Sequence, residues 1–152
     1  MTLNVGDVAP DFDLNSTTGD RIKLSDLRGE KVLIMFFPFA FTGTCTAELC
    51  AMRDSAPDYS ELDAKVVSIS CDAMPSLKAF AAAEGFTHPL LSDFYPHGET
   101  AKAYGVFLED KGAANRGSFI LDRQGRIAWT VTTSLGEARS NDDYRMILGG
   151  ID

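Results

Sequence analysis

Basic residues are scarce in this sequence, and it has no long apolar run. Its 152 residues include 14 Lys and Arg against 22 Asp and Glu, which gives a formal net charge of -8. Nucleic acids and anionic membranes are bound by clustered positive charge, so this balance argues against both as partners. The longest apolar run, residues 32–37, is much shorter than the roughly 20 residues that a membrane-spanning helix needs. We therefore expect no membrane-spanning segment.

Cysteine and histidine are also rare, with three and two residues. An odd number of cysteines argues against a purely structural disulfide framework. His88 and His97 do not have a zinc-binding spacing relative to the cysteines, so we expect no metal site. The first ten residues lack the basic start and the apolar stretch of a secretory signal, and we expect a cytoplasmic protein.

The order of predicted elements favours one α/β domain over residues 1–152, because no repeat, low-complexity tract or linker divides the chain. Apolar or alternating runs predict the strands, and helical spacing or a proline start with a glycine stop predicts the helices. The predicted strands are Phe12–Leu14, Arg21–Leu24, Val32–Phe37, Val66–Ser70, Pro89–Ser92, Ser118–Asp122 and Ile127–Thr132. One predicted helix begins near Thr44, and the other predicted helices are Ser76–Glu84, Glu99–Tyr104 and Asn141–Leu148. This order resembles a thioredoxin-like fold with an N-terminal β-hairpin extension and a central mixed β-sheet flanked by helices.

The junction between the strand Val32–Phe37 and the following helix carries the most informative residues. Ligands of open α/β sheets bind beyond the carboxyl ends of the strands. Cys45 is expected there, in the first helical turn, where unpaired backbone N–H groups and the helix dipole favour a thiolate. Thr42 is placed to direct its hydroxyl at the sulfur or at a bound substrate, or to cap the helix. Pro38 ends the strand and is expected to form a fixed wall beside the cysteine.

The spacing Pro38-x-x-x-Thr42-x-x-Cys45 resembles the signature of the peroxiredoxins, which are thiol peroxidases with a thioredoxin-like fold. The resemblance covers nearly the whole chain. Further segments that match the family in order are Val5–Leu14, Pro89–Asp93, Ala103–Val106 and Arg116–Asp122. The segments Phe36–Gly43 and Asp93–Gly98 are most similar to the bacterial one-cysteine subgroup called alkyl hydroperoxide reductase E.

The resemblance implies a role for each residue of the candidate site. Cys45 would be the peroxidatic cysteine, and Thr42 and Arg116 would bind and polarise the peroxide. Glu48 would orient the arginine, and Arg139 resembles a subgroup position near the active site. A guanidinium suits this task because it is always charged and donates several hydrogen bonds in a fixed geometry. The alternative interpretations are a surface arginine before a strand for Arg116 and an ordinary acid of a first helical turn for Glu48.

The activity that the resemblance implies is the thiol-dependent reduction of hydrogen peroxide, organic hydroperoxides and peroxynitrite through a sulfenic acid on Cys45. It implies no cofactor and a homodimer. Thioredoxin, a glutaredoxin-like protein and a low-molecular-weight thiol all stay open as the reductant. One alternative is a redox-sensing switch or chaperone-like partner protein that uses Cys45 without efficient turnover. A thioredoxin-type disulfide oxidoreductase is disfavoured because that chemistry uses Cys-x-x-Cys, and four residues separate Cys45 from Cys50.

The role of Cys50 is open between a resolving cysteine, which we favour, and a bystander. Its spacing from Cys45 is similar to that of the bacterioferritin-comigratory-type peroxiredoxins, in which a second cysteine resolves the sulfenic acid. On an intact helix, five residues separate the two Cα atoms by about 8–9 Å, which exceeds the limit of about 7 Å for a disulfide. A disulfide between them would therefore require the helix to unwind. We expect Cys71, which follows a predicted strand, to be a bystander.

Overall fold

A mixed five-stranded β-sheet lies at the centre of the computed structural model, which describes residues 3–152. The strands are β1 (Asp13–Asn15), β2 (Arg21–Lys23), β3 (Lys31–Phe36), β4 (Ala64–Ser70), β5 (Leu90–Ser92), β6 (Phe107–Leu108), β7 (Ala113–Ala114), β8 (Arg116–Leu121) and β9 (Ile127–Thr133). The helices are α1 (Gly43–Asp54), α2 (Ala56–Glu61), α3 (Met74–Glu84), α4 (Glu99–Ala103) and α5 (Asn141–Gly150), and a short 3-10 helix covers Leu24–Leu27. No helix in this part of the chain is long and apolar enough to cross a membrane.

The central sheet has the strand order β5-β4-β3-β8-β9. Strands β3, β4 and β5 run parallel to one another, while β8 pairs antiparallel with both β3 and β9. All six residues of β3 are buried, which explains why this strand is a continuous apolar run rather than an alternating one. Strands β1 and β2 form the separate N-terminal hairpin. The fold is therefore the thioredoxin-like α/β arrangement that the sequence predicts.

The helix that begins at the candidate site follows β3 after a short loop. Thr42 occupies its N-cap position in an extended conformation, and the helix begins at Gly43. Its buried residues, Cys45, Glu48, Leu49 and Met52, are spaced three, one and three residues apart, so they share one face. This pattern confirms the predicted helix and shows that a glutamate belongs to its buried face.

Four elements differ from the sequence-based expectation. Helix α2 was not predicted, and Pro57 lies in its first turn, where proline is tolerated because its missing N–H has no partner there. Strands β6 and β7 were not predicted either, because two residues are too few to give an alternating pattern. Strand β8 begins at Arg116 rather than at Ser118, which places the arginine inside the sheet.

Candidate active site

Cys45 lies beyond the carboxyl end of β3, in the first turn of α1, and its side chain is fully buried. Arg116, the first residue of β8, donates a hydrogen bond from Nη2 to Cys45 Sγ over 3.1 Å. The guanidinium is itself buried, so the interpretation of Arg116 as a surface residue is wrong. Pro38 is buried and follows β3 after one intervening residue, on the strand side of the same loop. The structure therefore brings the cysteine and the arginine into direct contact.

Thr42 is exposed at the N-cap position of α1 and does not cap the helix with its side chain. Its hydroxyl donates a hydrogen bond to the carbonyl oxygen of Phe39 over 2.8 Å. Thr42 therefore stands at the N-cap position as expected, but its hydroxyl oxygen accepts no hydrogen bond from the backbone N–H groups of the first turn of α1. The oxygen keeps its lone pairs, with which a hydroxyl can accept a further hydrogen bond.

Glu48 is buried and connects two arginines. Its Oε1 accepts a hydrogen bond from Arg116 Nη1 over 2.6 Å and another from Arg139 Nη2 over 2.8 Å. Its Oε2 accepts from Arg139 Nε over 2.8 Å and from the Arg139 backbone N–H over 2.7 Å. Burial alone raises the pKa of Glu48, but the hydrogen bonds and positive charges of Arg139 and Arg116 outweigh burial and hold its pKa below the usual value. Glu48 is therefore not an ordinary exposed acid of a first helical turn.

The hydrogen bonds extend from Arg139 to Ser118 and, through it, to Tyr144, and the sequence analysis singled out neither residue. Arg139 Nη1 donates to the Gly117 carbonyl oxygen and to Ser118 Oγ, each over 2.9 Å. Ser118 Oγ lies 2.7 Å from the hydroxyl oxygen of Tyr144, which belongs to α5. Burial, the largest cause, raises the pKa of Tyr144 above its usual value. A signal for Ser118 was available, since it is a polar residue directly before the apolar residues Phe119–Leu121 of β8.

Cys50 lies on the same unbroken helix as Cys45 but contacts a different element. Its thiol donates to Glu84 Oε2, on α3, with an Sγ–Oε2 distance of 3.6 Å. Burial is the largest cause that raises the pKa of Cys50, the Glu84 carboxylate raises it further, and the nearby charge of Arg53 opposes them. With α1 intact from Gly43 to Asp54, the two cysteines are not placed to form a disulfide.

The remaining cysteine and both histidines lie outside this cluster of contacts. Cys71 is buried, and burial together with the charges of Asp93 and Asp72 raises the pKa of its thiol to about 12. The half-buried His88 has its Nε2 3.0 Å from Ser68 Oγ, and burial lowers its pKa to about 4. His97 Nε2 lies 2.7 Å from the carbonyl oxygen of Gly112. Within residues 3–152, no group of three or more His, Cys, Asp or Glu side chains is arranged to hold a metal ion.

Comparisons with known proteins place this chain in one family. A sequence model described as "AhpC/TSA family" matches residues 5–130. Alkyl hydroperoxide reductase E of Mycobacterium tuberculosis is 47% identical over 138 residues, which cover 90% of each chain. Peroxiredoxin tpx1 of Schizosaccharomyces pombe is 33% identical over 158 residues, covering 97% of this chain and 81% of its own. The crystal structure of Enterococcus faecalis AhpC superposes with a TM-score of 0.90 at 29% identity, covering 99% of this chain and 92% of that chain. The chain therefore belongs to the AhpC/TSA family of peroxiredoxins.

Proposed function

We propose that this peroxiredoxin, a thiol-dependent peroxidase, reduces hydrogen peroxide, organic hydroperoxides and peroxynitrite at Cys45. The observation that carries the proposal is the buried contact between Arg116 Nη2 and Cys45 Sγ, at 3.1 Å. A guanidinium in a site without water stabilises both a thiolate and the negative charge that develops on a departing oxygen. A redox switch or chaperone-like protein without turnover is not favoured, because the matching relatives are named as a reductase and a peroxiredoxin.

In the proposed first step, the Cys45 thiolate attacks the peroxide oxygen that carries the hydrogen. The S–O bond forms as the O–O bond breaks, and Cys45 becomes a sulfenic acid. The leaving oxygen takes up a proton from solvent and departs as water or an alcohol, or departs as nitrite when peroxynitrite is the substrate. The sulfur is oxidised and the peroxide is reduced by the same electron pair. Arg116 and the backbone N–H of Cys45 serve as donors to the oxygen on which charge develops.

Thr42 and Pro38 complete the proposed peroxide site. The Thr42 hydroxyl hydrogen is directed at the Phe39 carbonyl, so its oxygen is the acceptor for the O–H of a bound hydroperoxide. Pro38 has no backbone N–H, so it forms one wall of the site without competing for the thiolate. Phe39 and Phe41 belong to this loop and leave 42% and 57% of their surface exposed, and apolar surface there suits the organic part of a hydroperoxide.

Glu48 and Arg139 act as positioning residues in this proposal. Glu48 accepts hydrogen bonds from both arginines, and Arg139 also binds to β8 through the Gly117 carbonyl oxygen. These buried, charge-assisted bonds fix the direction of the Arg116 guanidinium before a peroxide arrives. Catalysis by fixed donors depends on such pre-organisation, because little reorientation is then needed during the reaction.

In the proposed second step, Cys50 resolves the sulfenic acid. The Cys50 thiol loses its proton and attacks Cys45 Sγ, an S–S bond forms, and the hydroxyl on Cys45 leaves as water after it takes up a proton. Two features of the structure make this step slower than the first. Helix α1 must unwind between the two cysteines, and the Cys50 thiol must leave the Glu84 carboxylate.

Mass spectrometry after addition of one equivalent of peroxide tests this cycle. We expect the wild type to gain one oxygen and then convert to an intramolecular disulfide, with a loss of helical circular dichroism as α1 opens. Cys50→Ser should keep the first step unchanged and retain the sulfenic acid, and a second equivalent of peroxide should then overoxidise it to sulfinic acid. Cys71→Ser is the matched control and should follow the wild type. A wild-type protein that stays a sulfenic acid with unchanged circular dichroism would show that an external thiol reduces Cys45 directly.

The proposal extends to the partners of the enzyme. A thiol reductant closes the cycle, and we propose that it is thioredoxin, a glutaredoxin-like protein or a low-molecular-weight thiol. Such thiols are kept reduced in the cytoplasm, which supports a cytoplasmic site of action. We also propose a homodimer, which exposed aromatic side chains support: Phe94 and Tyr95 leave 51% and 87% of their surface uncovered.

A further inference from the structure

Asp72 connects the loops that follow the three parallel strands. It follows β4 after one intervening residue, Cys71, and it is half-buried. Its Oδ2 accepts a hydrogen bond from the Ala40 backbone N–H over 2.9 Å and another from Ser70 Oγ over 2.7 Å. Its backbone carbonyl oxygen accepts from Ser92 Oγ over 2.6 Å. One residue therefore holds the loop after β3, which carries the peroxide site, against the ends of β4 and β5.

The peptide group between Phe39 and Ala40 links Asp72 to Thr42. Its N–H donates to Asp72 Oδ2, and its carbonyl oxygen accepts the hydroxyl hydrogen of Thr42 over 2.8 Å. A trans peptide is planar, so its N–H and C=O point in opposite directions and cannot rotate independently. The position of the Asp72 carboxylate therefore determines where the Phe39 carbonyl points, and that carbonyl determines where the Thr42 hydroxyl hydrogen points.

The carboxylate also strengthens the second bond of this chain. An ionised acceptor makes a stronger hydrogen bond than a neutral one, and hydrogen bonds in a chain polarise one another. The Phe39 carbonyl thereby becomes a better acceptor, and the Thr42 hydrogen is held more firmly on it. The lone pairs of Thr42 Oγ1 are then kept in the orientation that the proposed function assigns to the peroxide O–H.

We propose that Asp72 is a positioning residue for peroxide reduction, which orients the Thr42 hydroxyl through the Phe39–Ala40 peptide group. The inference rests on the proposed role of Thr42. It assigns to Asp72 no contact with the peroxide and no proton transfer. Asp72 increases the rate of Cys45 oxidation and does not act in the later recycling of the sulfenic acid.

Stopped-flow measurement of the second-order rate constant for Cys45 oxidation by hydrogen peroxide tests this role in the full-length protein. Asp72→Ala removes the acceptor of the Ala40 N–H, and we expect oxidation to become about tenfold slower, as for the loss of one hydrogen bond to a charged group. Asp72→Asn keeps an acceptor oxygen and should restore most of the rate. Ser92→Ala is the matched control, because it removes a bond to the Asp72 backbone and leaves the carboxylate untouched.

A double-mutant cycle with Thr42→Val separates positioning from a general loss of structure. If Asp72 acts through the Thr42 hydroxyl, Asp72→Ala should cause no further slowing once that hydroxyl is absent. Additive effects, or an unchanged rate in Asp72→Ala beside a slow Thr42→Val, would overturn the role of Asp72 and leave that of Thr42 intact. An unchanged rate in Thr42→Val would overturn both roles, while the assignment of Cys45 and Arg116 would stand. Thermal unfolding of each variant checks that the compared proteins are folded.

Discussion

Cys45→Ser should abolish peroxide reduction while the protein remains folded. Serine has nearly the same shape as cysteine, so the buried pocket at the start of α1 is kept. Its hydroxyl is not ionised near neutral pH and is a far weaker nucleophile than a thiolate. The consumption of peroxide in the presence of an excess of a dithiol reductant measures the effect, and we expect the rate to fall to that of the reductant alone.

Cys71→Ser is the control for the loss of a buried thiol. Cys71 lies outside the hydrogen-bond network of Arg116 and Glu48, and burial together with nearby carboxylates opposes its ionisation. Its replacement should leave peroxide consumption near the wild-type rate. If Cys45→Ser retained activity within about tenfold of the wild type, with circular dichroism unchanged, Cys45 would not be the reacting residue.

Arg116→Met should slow the oxidation of Cys45 by a factor of about 10²–10³, which is the typical cost of removing one fixed donor to a developing negative charge. Methionine fills much of the space of the arginine stem but donates no hydrogen bond. Both the Cys45 sulfur and the Glu48 Oε1 atom lose a partner, at 3.1 and 2.6 Å. Glu48 still accepts three bonds from Arg139, so we expect the carboxylate to keep its position.

Rapid-quench mass spectrometry at several peroxide concentrations gives the second-order rate constant of this step. Arg21→Met is a suitable control, because the Arg21 side chain is 58% exposed and pairs with Asp13 on the N-terminal hairpin. It should oxidise at the wild-type rate. Equal rates for Arg116→Met and Arg21→Met would remove Arg116 from the proposed mechanism and limit its role to the packing of β8.

The junction of β3 and α1 is predictable from sequence because its signals are local. A continuous apolar run identifies the buried strand, and the spacing of Cys45, Leu49 and Met52 identifies the helix that follows. The pattern from Pro38 to Cys45 adds the resemblance to a family. The two strands of the final hairpin are also local features, since a glycine-containing turn joins two β-rich runs.

The support of the site is not predictable in the same way, because it depends on contacts between distant parts of the chain. Arg139 stands in a polar loop segment that reads as exposed, yet its side chain is buried against Glu48, which is 91 residues away in sequence. The contact between Ser118 and Tyr144 joins β8 to α5 over 26 residues. Asp72 reads as an ordinary turn residue after a strand. Only the packed sheet and helices show what these side chains bind.

The buried charges around Cys45 have a consequence for the spent enzyme. Arg116 and Arg139 carry two positive charges and Glu48 one negative charge, so the Cys45 thiolate of the proposed mechanism balances the remaining positive charge. Conversion to a neutral sulfenic acid leaves one cation uncompensated away from water, which is costly. The oxidised enzyme is therefore expected to loosen at α1 and to expose its sulfur to the thiol that restores it. Cys45→Ser leaves the same positive charge uncompensated. Amide hydrogen exchange in residues 43–54 should therefore be faster in that variant than in the reduced wild type. Equal exchange rates would show that the charge at position 45 does not control the opening of α1.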